Sequence, residues 1–276
     1  MSKIEIKSKG SSINLFYEDW GTGSPVVFIH GWPLSHEMWE YQMNALASQG
    51  LRCLAYDRRG FGKSDKPWDG YDYDTLANDL NGFLEALDIN NATLVGFSMG
   101  GGEVVSYLSL FGSKRVSKAV LVSSVTPILI QRADNPEGVP AEKFEEMTAQ
   151  LKDDRPAFLA TFAKKFFGED WISKPVSDQV LDWTSQLALM ASPRATVECV
   201  RSFSETDFRA DLEKIEIPVL VIHGDADKTV PFDTTGQITA RIIKNAKLSV
   251  FKGAPHGLYF TDKEKLNSEL MNFISG

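Results

Sequence analysis

A serine between glycines is the clearest candidate for chemistry in this chain. Residues 94–102 read LVGFSMGGG, so Ser98 has a glycine two positions away on either side. Glycine costs roughly 1 kcal/mol against alanine in a helix, so four glycines within residues 96–102 serve something other than helix stability. The pattern G-x-S-x-G is typical of a tight strand-to-helix turn, where larger flanking side chains would collide with the backbone. The pattern predicts that Ser98 is a nucleophile whose hydroxyl a substrate can reach.

A serine hydroxyl needs a general base, and the base needs an acidic partner. In strand-helix folds that use this turn, the acid and the histidine follow the serine along the chain. Of the four histidines, only His223 and His256 follow Ser98. His223 lies in the apolar run VLVIHGD and is interpreted as a buried histidine, whereas His256 lies in GAPHG, a loop bounded by glycine and proline. We expect His256 to be the base.

Two aspartates compete for the role of the acid. Asp225 and Asp227 both lie in HGDADKTVP, at and just after the end of the predicted strand 217–225. Both positions suit a carboxylate partner of His256, and Asp225 has the alternative role of capping the turn through its own backbone. Spacing alone leaves the choice open.

Acyl transfer also needs hydrogen-bond donors for the developing oxyanion. The backbone N–H of Met99, the residue after the nucleophile, is one candidate because it lies at a helix N-terminus. The second donor is expected in the loop after the strand that ends at His30, where HGWP makes Trp32 the candidate. The indole ring of Trp32 is also expected to form a wall of the pocket, with plain packing as the alternative role.

The order of the predicted elements indicates how these residues come together. Short β-branched runs alternate with amphipathic stretches before residue 126, and the alternation returns after residue 216. Strands are predicted over 14–20, 26–30, 52–57, 92–97, 118–124, 217–225 and 247–253, and helices over 74–87, 102–112, 233–243 and 262–275. This alternation predicts an α/β fold with a mostly parallel sheet flanked by helices. Ligands of such sheets bind at the carboxyl ends of the strands.

Residues 126–212 interrupt the alternation. This segment contains helical stretches rich in Phe and Trp and no convincing strand, so we expect a helical cap (126–212) over a discontinuous core (1–125 and 213–276). Phe158, Phe162 and Phe166 recur every four residues and share one helix face. Packing is the commoner role of such a stripe. Phe162 and Phe166, together with Phe97 beside the nucleophile, are the candidates for substrate contact.

Composition and charge restrict the classes of function. The chain has 276 residues, of which 43% are hydrophobic and 24% charged, as is typical of a globular protein. Its formal net charge of −8 argues against binding to nucleic acid or to anionic membranes. No apolar run is long enough for a membrane span or a signal segment, so a cytoplasmic location is expected. Two cysteines and four scattered histidines show no metal-ligand spacing, and we expect no metal site.

Essentially the whole chain resembles the α/β-hydrolase fold family and, within it, the cofactor-free haloperoxidase and arylesterase group. The resemblance is carried by HGWP (30–33), MWEYQM (38–43), YDRRGFGKSD (56–65), LVGFSMGGGEV (94–104), ETDFR (205–209), VIHGDADKTVPF (221–232) and APHGL (254–258). It implies a sheet of about eight strands with a helical cap insert. It also implies that the second aspartate of the HGDxD string, Asp227, completes a triad with Ser98 and His256, and that Trp32 and Met99 supply the oxyanion donors.

The resemblance implies a substrate class and an activity. The expected substrates are small esters, often aromatic or short-acyl, with hydrogen peroxide as an alternative acceptor of the acyl group. The peracid formed in this way oxidises halides in solution, and no haem, vanadium or flavin is required. Related enzymes hydrolyse lactones or lactams, and a carbon-carbon bond hydrolase keeps the same serine, so these activities are alternatives. A non-catalytic binding protein of this fold is a further alternative, which the complete triad disfavours, and the resemblance also suggests a homo-oligomer.

Overall fold

Eight strands form one sheet in the computed structural model, which describes residues 2–276. In chain order they are β1 (Ser2–Ser8), β2 (Ser11–Trp20), β3 (Pro25–Ile29), β4 (Arg52–Tyr56), β5 (Ala92–Phe97), β6 (Val116–Val122), β7 (Val219–Gly224) and β8 (Ala246–Phe251). Their order across the sheet is β1-β2-β4-β3-β5-β6-β7-β8. The pairs β1/β2 and β2/β4 are antiparallel, and the others are parallel. The mostly parallel sheet of about eight strands expected from the sequence is confirmed.

The central strands are buried along their whole length. Every residue of β5 (ATLVGF) and of β7 (VLVIHG) is buried. Such continuous apolar runs are typical of parallel strands that are covered on both faces. The edge strand β8 differs, because Lys247, Leu248 and Val250 are exposed. The core is therefore centred on the strands whose carboxyl ends carry the candidate residues.

Of the four helices predicted to flank the sheet, two begin within one residue of the predicted position and two begin three residues from it. α1 (Glu40–Ala47) packs against α11 (Lys263–Ser275), and α2 (Tyr73–Ala86) packs against α3 (Met99–Phe111). Three short helices are α8 (Arg209–Leu212), α9 (Gly236–Ile242) and α10 (Leu258–Thr261). α3 begins at Met99 and not at residue 102, because its first turn contains three glycines that disfavour a helix by propensity. α9 begins at Gly236 and not at residue 233, because Phe232–Thr234 form a separate 3₁₀ turn. Within residues 2–276, no helix has both the length and the apolar character to cross a membrane.

Four long helices lie between β6 and β7. They are α4 (Ala141–Asp153), α5 (Arg155–Phe166), α6 (Asp178–Leu189) and α7 (Pro193–Glu205), and α4 packs on α5 and α7, while α5 packs on α6. The side chains of Asp154, Ser177 and Ser192 start α5, α6 and α7 by accepting a backbone N–H three residues further on. The segment 126–212 is thus largely helical. Its description as a separate cap domain stays a prediction.

Candidate active site

Ser98 lies at the turn between β5 and α3, at the carboxyl end of a central strand. Its backbone has φ 53° and ψ −117°, a conformation that residues other than glycine rarely adopt. A Cβ atom at Gly96 would overlap the carbonyl oxygen of Gly100, and one at Gly100 would overlap that of Ile29. Close backbone approach therefore requires the flanking glycines, and the strained turn holds the Ser98 hydroxyl at the edge of the sheet.

Ser98, His256 and Asp227 form one hydrogen-bonded chain. Ser98 Oγ lies 3.0 Å from His256 Nε2, and His256 Nδ1 lies 2.6 Å from Asp227 Oδ2. Because an ionised carboxylate only accepts hydrogen bonds, Nδ1 carries the proton and Nε2 is free to accept the hydroxyl proton of Ser98. All three residues are at most 6% exposed. The structure thus brings the three predicted residues together in the arrangement that nucleophilic catalysis requires.

Four N–H groups surround the carboxylate of Asp227. Oδ1 accepts the backbone N–H groups of Thr229 and Val230, both at 2.8 Å. Oδ2 faces His256 Nδ1 and also His223 Nε2, the latter at 3.3 Å. Burial by itself would raise the pKa of Asp227, but the His256 charge and the hydrogen bonds from both histidines outweigh burial and hold the pKa well below its ordinary value. Asp227 is therefore ionised and fixed in orientation.

His223 is buried, and it also contacts the candidate acid. Its Nε2 lies 2.9 Å from the carbonyl oxygen of Val230 and 3.3 Å from Asp227 Oδ2. Both neighbours are acceptors, so Nε2 carries the proton. Nδ1 has no hydrogen-bond partner among the described residues and lies against Gly236, where a Cβ atom would overlap it. The contact of His223 with Asp227 was not predicted from the sequence, although the four-residue spacing in HGDAD was an available signal.

Asp225, the alternative acid, has a different partner. Its side chain is exposed, and Oδ1 accepts the backbone N–H of Gly253 at 2.5 Å. This hydrogen bond joins the loop after β7 to the loop after β8, which carries His256. Asp225 therefore stabilises the loops that hold the candidate base and acid, a role close to the turn role that the sequence allowed.

The backbone N–H groups of Trp32 and Met99 are free to bind a substrate oxygen. Met99 is the first residue of α3, where a helix leaves its N–H groups without internal partners. Among the hydrogen bonds between residues 2–276, neither of the two N–H groups has an acceptor. Trp32 is buried in the loop after β3, where its indole Nε1 donates to the carbonyl oxygen of Thr196 in α7 at 3.0 Å.

A buried ion pair holds the start of the loop that carries Trp32. Arg58 Nε lies 2.7 Å from Glu103 Oε2 in α3. Arg58 also donates from Nη2 to the carbonyl oxygen of His30 at 2.8 Å, and from its backbone N–H to His30 Nε2 at 3.0 Å. Burial, reinforced by the Arg58 charge, lowers the pKa of His30 to about 3, so this histidine is neutral and accepts. This cluster of His30, Arg58 and Glu103 was not predicted from the sequence, because charged residues in a glycine-containing turn give no sign of burial.

Ser98 and His256 border a small, partly enclosed cavity. Most of its other lining residues are apolar, and Phe144, Met147, Phe162 and Phe203 come from the helices between β6 and β7. The remaining lining residues are Trp32, Val125, Leu129, Thr229 and Val230. The rings of Trp32 and Phe162 pack edge to face with centroids 5.4 Å apart. A cavity with this lining suits a small and mostly apolar substrate. Within residues 2–276, no three His, Cys, Asp or Glu side chains are placed to hold a metal ion together.

Phe97 and Phe166 occupy different positions from Phe162. Both are buried, and both rings pack on the imidazole of His256 with centroids 4.9 Å apart. The lining of the Ser98 cavity includes Phe162 but neither of these two residues. Phe166 therefore has the packing role that the sequence allowed for the phenylalanine stripe, and Phe97 likewise packs on the candidate base and does not line the cavity.

The chain matches known proteins along nearly its whole length. The family model of the alpha/beta hydrolase fold matches residues 24–263. A putative non-heme chloroperoxidase from Synechocystis sp. is 44% identical over 97% of both chains, and a bifunctional esterase/perhydrolase from Acinetobacter calcoaceticus is 41% identical over 95% of this chain and 96% of its own. The crystal structure of a bromoperoxidase from Bacillus anthracis is 47% identical with a TM-score of 0.95 and covers 100% of both chains. The chain therefore belongs to the α/β-hydrolase fold family and, within it, to the group that contains these non-heme haloperoxidases and the esterase/perhydrolase.

Proposed function

We propose that this protein is a serine esterase that cleaves small carboxylic esters with aryl or short-acyl groups, and that it also transfers the acyl group to hydrogen peroxide. The observation that carries the proposal is the hydrogen-bonded chain from Asp227 through His256 to Ser98, which ends at a small apolar cavity. The relatives support it, because their names include chloroperoxidases and an esterase/perhydrolase.

The first half of the reaction acylates the serine. Ser98 Oγ attacks the ester carbonyl carbon while its proton passes to His256 Nε2, and the imidazolium is stabilised by the ionised Asp227. The tetrahedral oxyanion accepts hydrogen bonds from the backbone N–H groups of Trp32 and Met99. When the intermediate collapses, the bond to the alcohol oxygen breaks and the alcohol leaves with the proton from His256. The acyl group stays on Ser98 as an ester.

The second half transfers the acyl group to water or to hydrogen peroxide. His256 Nε2 removes a proton from the acceptor, whose oxygen attacks the acyl carbon, and the collapse of the second intermediate returns the proton to Ser98 Oγ. Water gives the carboxylic acid, and hydrogen peroxide gives the peracid. The peracid then oxidises halide ions in solution, outside the active site.

Within the cavity, we assign substrate contact to Trp32 and Phe162. Both rings line it, and both lie where residues from the core meet helices of the 126–212 segment. The segment is proposed to act as a cap domain that limits the size of the acyl group. Phe97 and Phe166 are proposed to act on the reaction only through the packing of His256.

The proposal is tested with p-nitrophenyl acetate and with a bromination assay. The wild type is expected to release p-nitrophenolate, and Ser98→Ala is expected to lose this activity by a factor of about 10⁴ or more. In acetate buffer with bromide, hydrogen peroxide and a metal chelator, the wild type is expected to brominate an organic acceptor. Bromination that disappears with the chelator would contradict the peracid route.

A further inference from the structure

A groove on the outside of the helices between β6 and β7 borders the Ser98 cavity. Four side chains line both spaces: Phe144, Met147, Phe162 and Thr229. All four are half-buried, whereas Ser98 and His256 are buried. These four side chains therefore separate the candidate catalytic residues from the groove. The part of a substrate that exceeds the cavity would extend past them into the groove.

Three lysines and one glutamate also line the groove. Lys143 is paired with Glu146 at 2.9 Å, so their charges cancel. Lys165 in α5 and Lys228 in the loop after β7 also line the groove, and neither has a carboxylate oxygen within 4.0 Å among the described residues. The groove therefore presents two ammonium groups that form no salt bridge, although the Lys228 charge also acts on the exposed Asp170 and the chain as a whole has a formal net charge of −8.

The hydroxyl of Thr229 is a further polar group at this place. Thr229 Oγ1 is buried and has no hydrogen-bond partner within residues 2–276. The backbone N–H of the same residue donates to Asp227 Oδ1, which fixes the residue beside the candidate triad. A buried hydroxyl without a partner costs free energy unless a ligand pairs with it. Thr229 lies where the cavity meets the groove, so its hydroxyl is available to a substrate that occupies both.

We propose that the groove binds a carboxylate that the substrate carries at a distance from its ester bond. The apolar side chains contact the carbon chain, Lys165 and Lys228 attract the carboxylate, and the Thr229 hydroxyl donates a hydrogen bond to it. The inference rests on the proposed esterase function and narrows its substrate class to anionic esters such as half-esters of dicarboxylic acids. A positive cleft also raises the rate of association with anions, an effect that salt weakens.

The kinetic test compares p-nitrophenyl half-esters of succinic, glutaric and adipic acid with their uncharged methyl esters. In the wild type, kcat/KM for at least one half-ester is expected to exceed that of its methyl ester by about tenfold at low salt. In Lys165→Glu/Lys228→Glu this advantage is expected to disappear. Both esters react at the same triad, so any effect of the substitutions on the reacting groups cancels in the ratio of the half-ester kcat/KM to the methyl-ester kcat/KM. Thr229→Val, which keeps the shape, is expected to lower the ratio by about fivefold.

Lys152→Glu/Lys164→Glu is the matched control. It changes the charge by the same amount on α4 and α5, and both lysines are exposed. Neither lysine lines the groove, and Lys164 faces Glu169 at 3.9 Å. The control is expected to keep the wild-type ratio. If the ratio of half-ester to methyl-ester kcat/KM falls equally in both double variants, the effect comes from net charge in general and the proposal is overturned.

A binding measurement separates failure of this inference from failure of the proposed function. Ser98→Ala is titrated calorimetrically with glutaranilic acid and with its methyl ester, neither of which requires turnover. The acid is expected to bind more tightly than the methyl ester, and Lys165→Glu/Lys228→Glu on this background is expected to remove the difference. Equal binding of the two compounds to Ser98→Ala overturns the inference even if the wild type hydrolyses p-nitrophenyl acetate. Preferential binding of the acid without hydrolysis of any ester supports the groove and contradicts only the esterase proposal.

Discussion

His223 Nε2 lies 3.3 Å from Asp227 Oδ2, the same oxygen that His256 Nδ1 approaches to 2.6 Å. One carboxylate oxygen is therefore shared by the candidate base and by a second, deeper histidine. His223 Nε2 donates its hydrogen bond to the carbonyl oxygen of Val230 at 2.9 Å and faces the carboxylate oxygen from 3.3 Å. Each donor to the carboxylate spreads its negative charge, so His223 affects how strongly Asp227 attracts the proton of His256.

The first prediction concerns His223. In His223→Leu the carboxylate loses a donor and the carbonyl oxygen of Val230 loses its partner, so kcat is expected to fall about tenfold. His223→Gln keeps an N–H donor and is expected to restore most of the rate. A purely structural role would give both variants the same activity.

The second prediction concerns the turn at Ser98. Gly96→Ala places a Cβ atom on the carbonyl oxygen of Gly100, where only backbone movement relieves the overlap. The free energy of unfolding, measured with guanidinium chloride, is expected to fall by about 3 kcal/mol or more. Gly10→Ala is the control, because a Cβ atom there has open space and the positive φ of 81° is what disfavours alanine. The control is expected to cost about 1 kcal/mol. Equal costs at the two positions would contradict the steric account of the turn.

The third prediction concerns the pH dependence of stability. In the folded protein the pKa of His30 lies at about 3 and not at its usual 6.5, chiefly because of burial. Below pH 6.5 the unfolded chain binds a proton here that the folded protein does not, so this position destabilises the fold increasingly until about pH 3. Between pH 7 and pH 5 the loss from His30 is expected to be about 2 kcal/mol.

His30→Gln tests this expectation. The Gln oxygen is expected to accept the backbone N–H of Arg58, as His30 Nε2 does at 3.0 Å. Urea unfolding of both proteins at pH 7 and at pH 5 gives the loss of stability over this interval. The loss in the variant is expected to be smaller than that of the wild type by about 2 kcal/mol. An identical loss in the two proteins would mean that His30 is not the group responsible.

The fourth prediction concerns the size of the acyl group. Phe162 lines the Ser98 cavity, so Phe162→Ala is expected to raise the activity on p-nitrophenyl hexanoate relative to the acetate by about tenfold. Leu159→Ala removes a buried side chain from the same helix but opens space away from the cavity. This control is expected to lose stability and to keep the ratio of the two activities. A raised ratio in both variants would indicate general loosening of the helices.

The chemistry of the site was easier to predict from the sequence than its supports. The turn at Ser98 leaves no space for a Cβ atom at positions 96 and 100, so both positions are glycine and the turn is visible in the sequence. Spacing did not separate Asp225 from Asp227, because the two lie on one short loop and differ only in direction. Asp227 faces His256, whereas Asp225 accepts a hydrogen bond from the backbone N–H of Gly253. The resemblance to a family was needed to choose between them.

Some elements were missed for physical reasons. β1 (SKIEIKS) alternates charged residues with Ile4 and Ile6 and packs at the edge of the sheet, so its apolar content is low. The buried pair of Arg58 and Glu103 was also missed, since charged residues are rarely buried and only tertiary contacts reveal their partner. The same holds for the groove, because Lys165 and Lys228 are far apart in the sequence and meet only in the fold.

The central claim is that Ser98 carries the acyl group, and rapid quenching followed by mass spectrometry tests it most directly. The enzyme is mixed with p-nitrophenyl acetate, quenched in acid within the first turnovers, and digested to locate any added acetyl group. The account predicts one acetyl group on the peptide that contains Ser98 in the wild type, and none in Ser98→Ala. Hydrolysis by the wild type with no acetyl group on Ser98, or undiminished hydrolysis by Ser98→Ala, would contradict it.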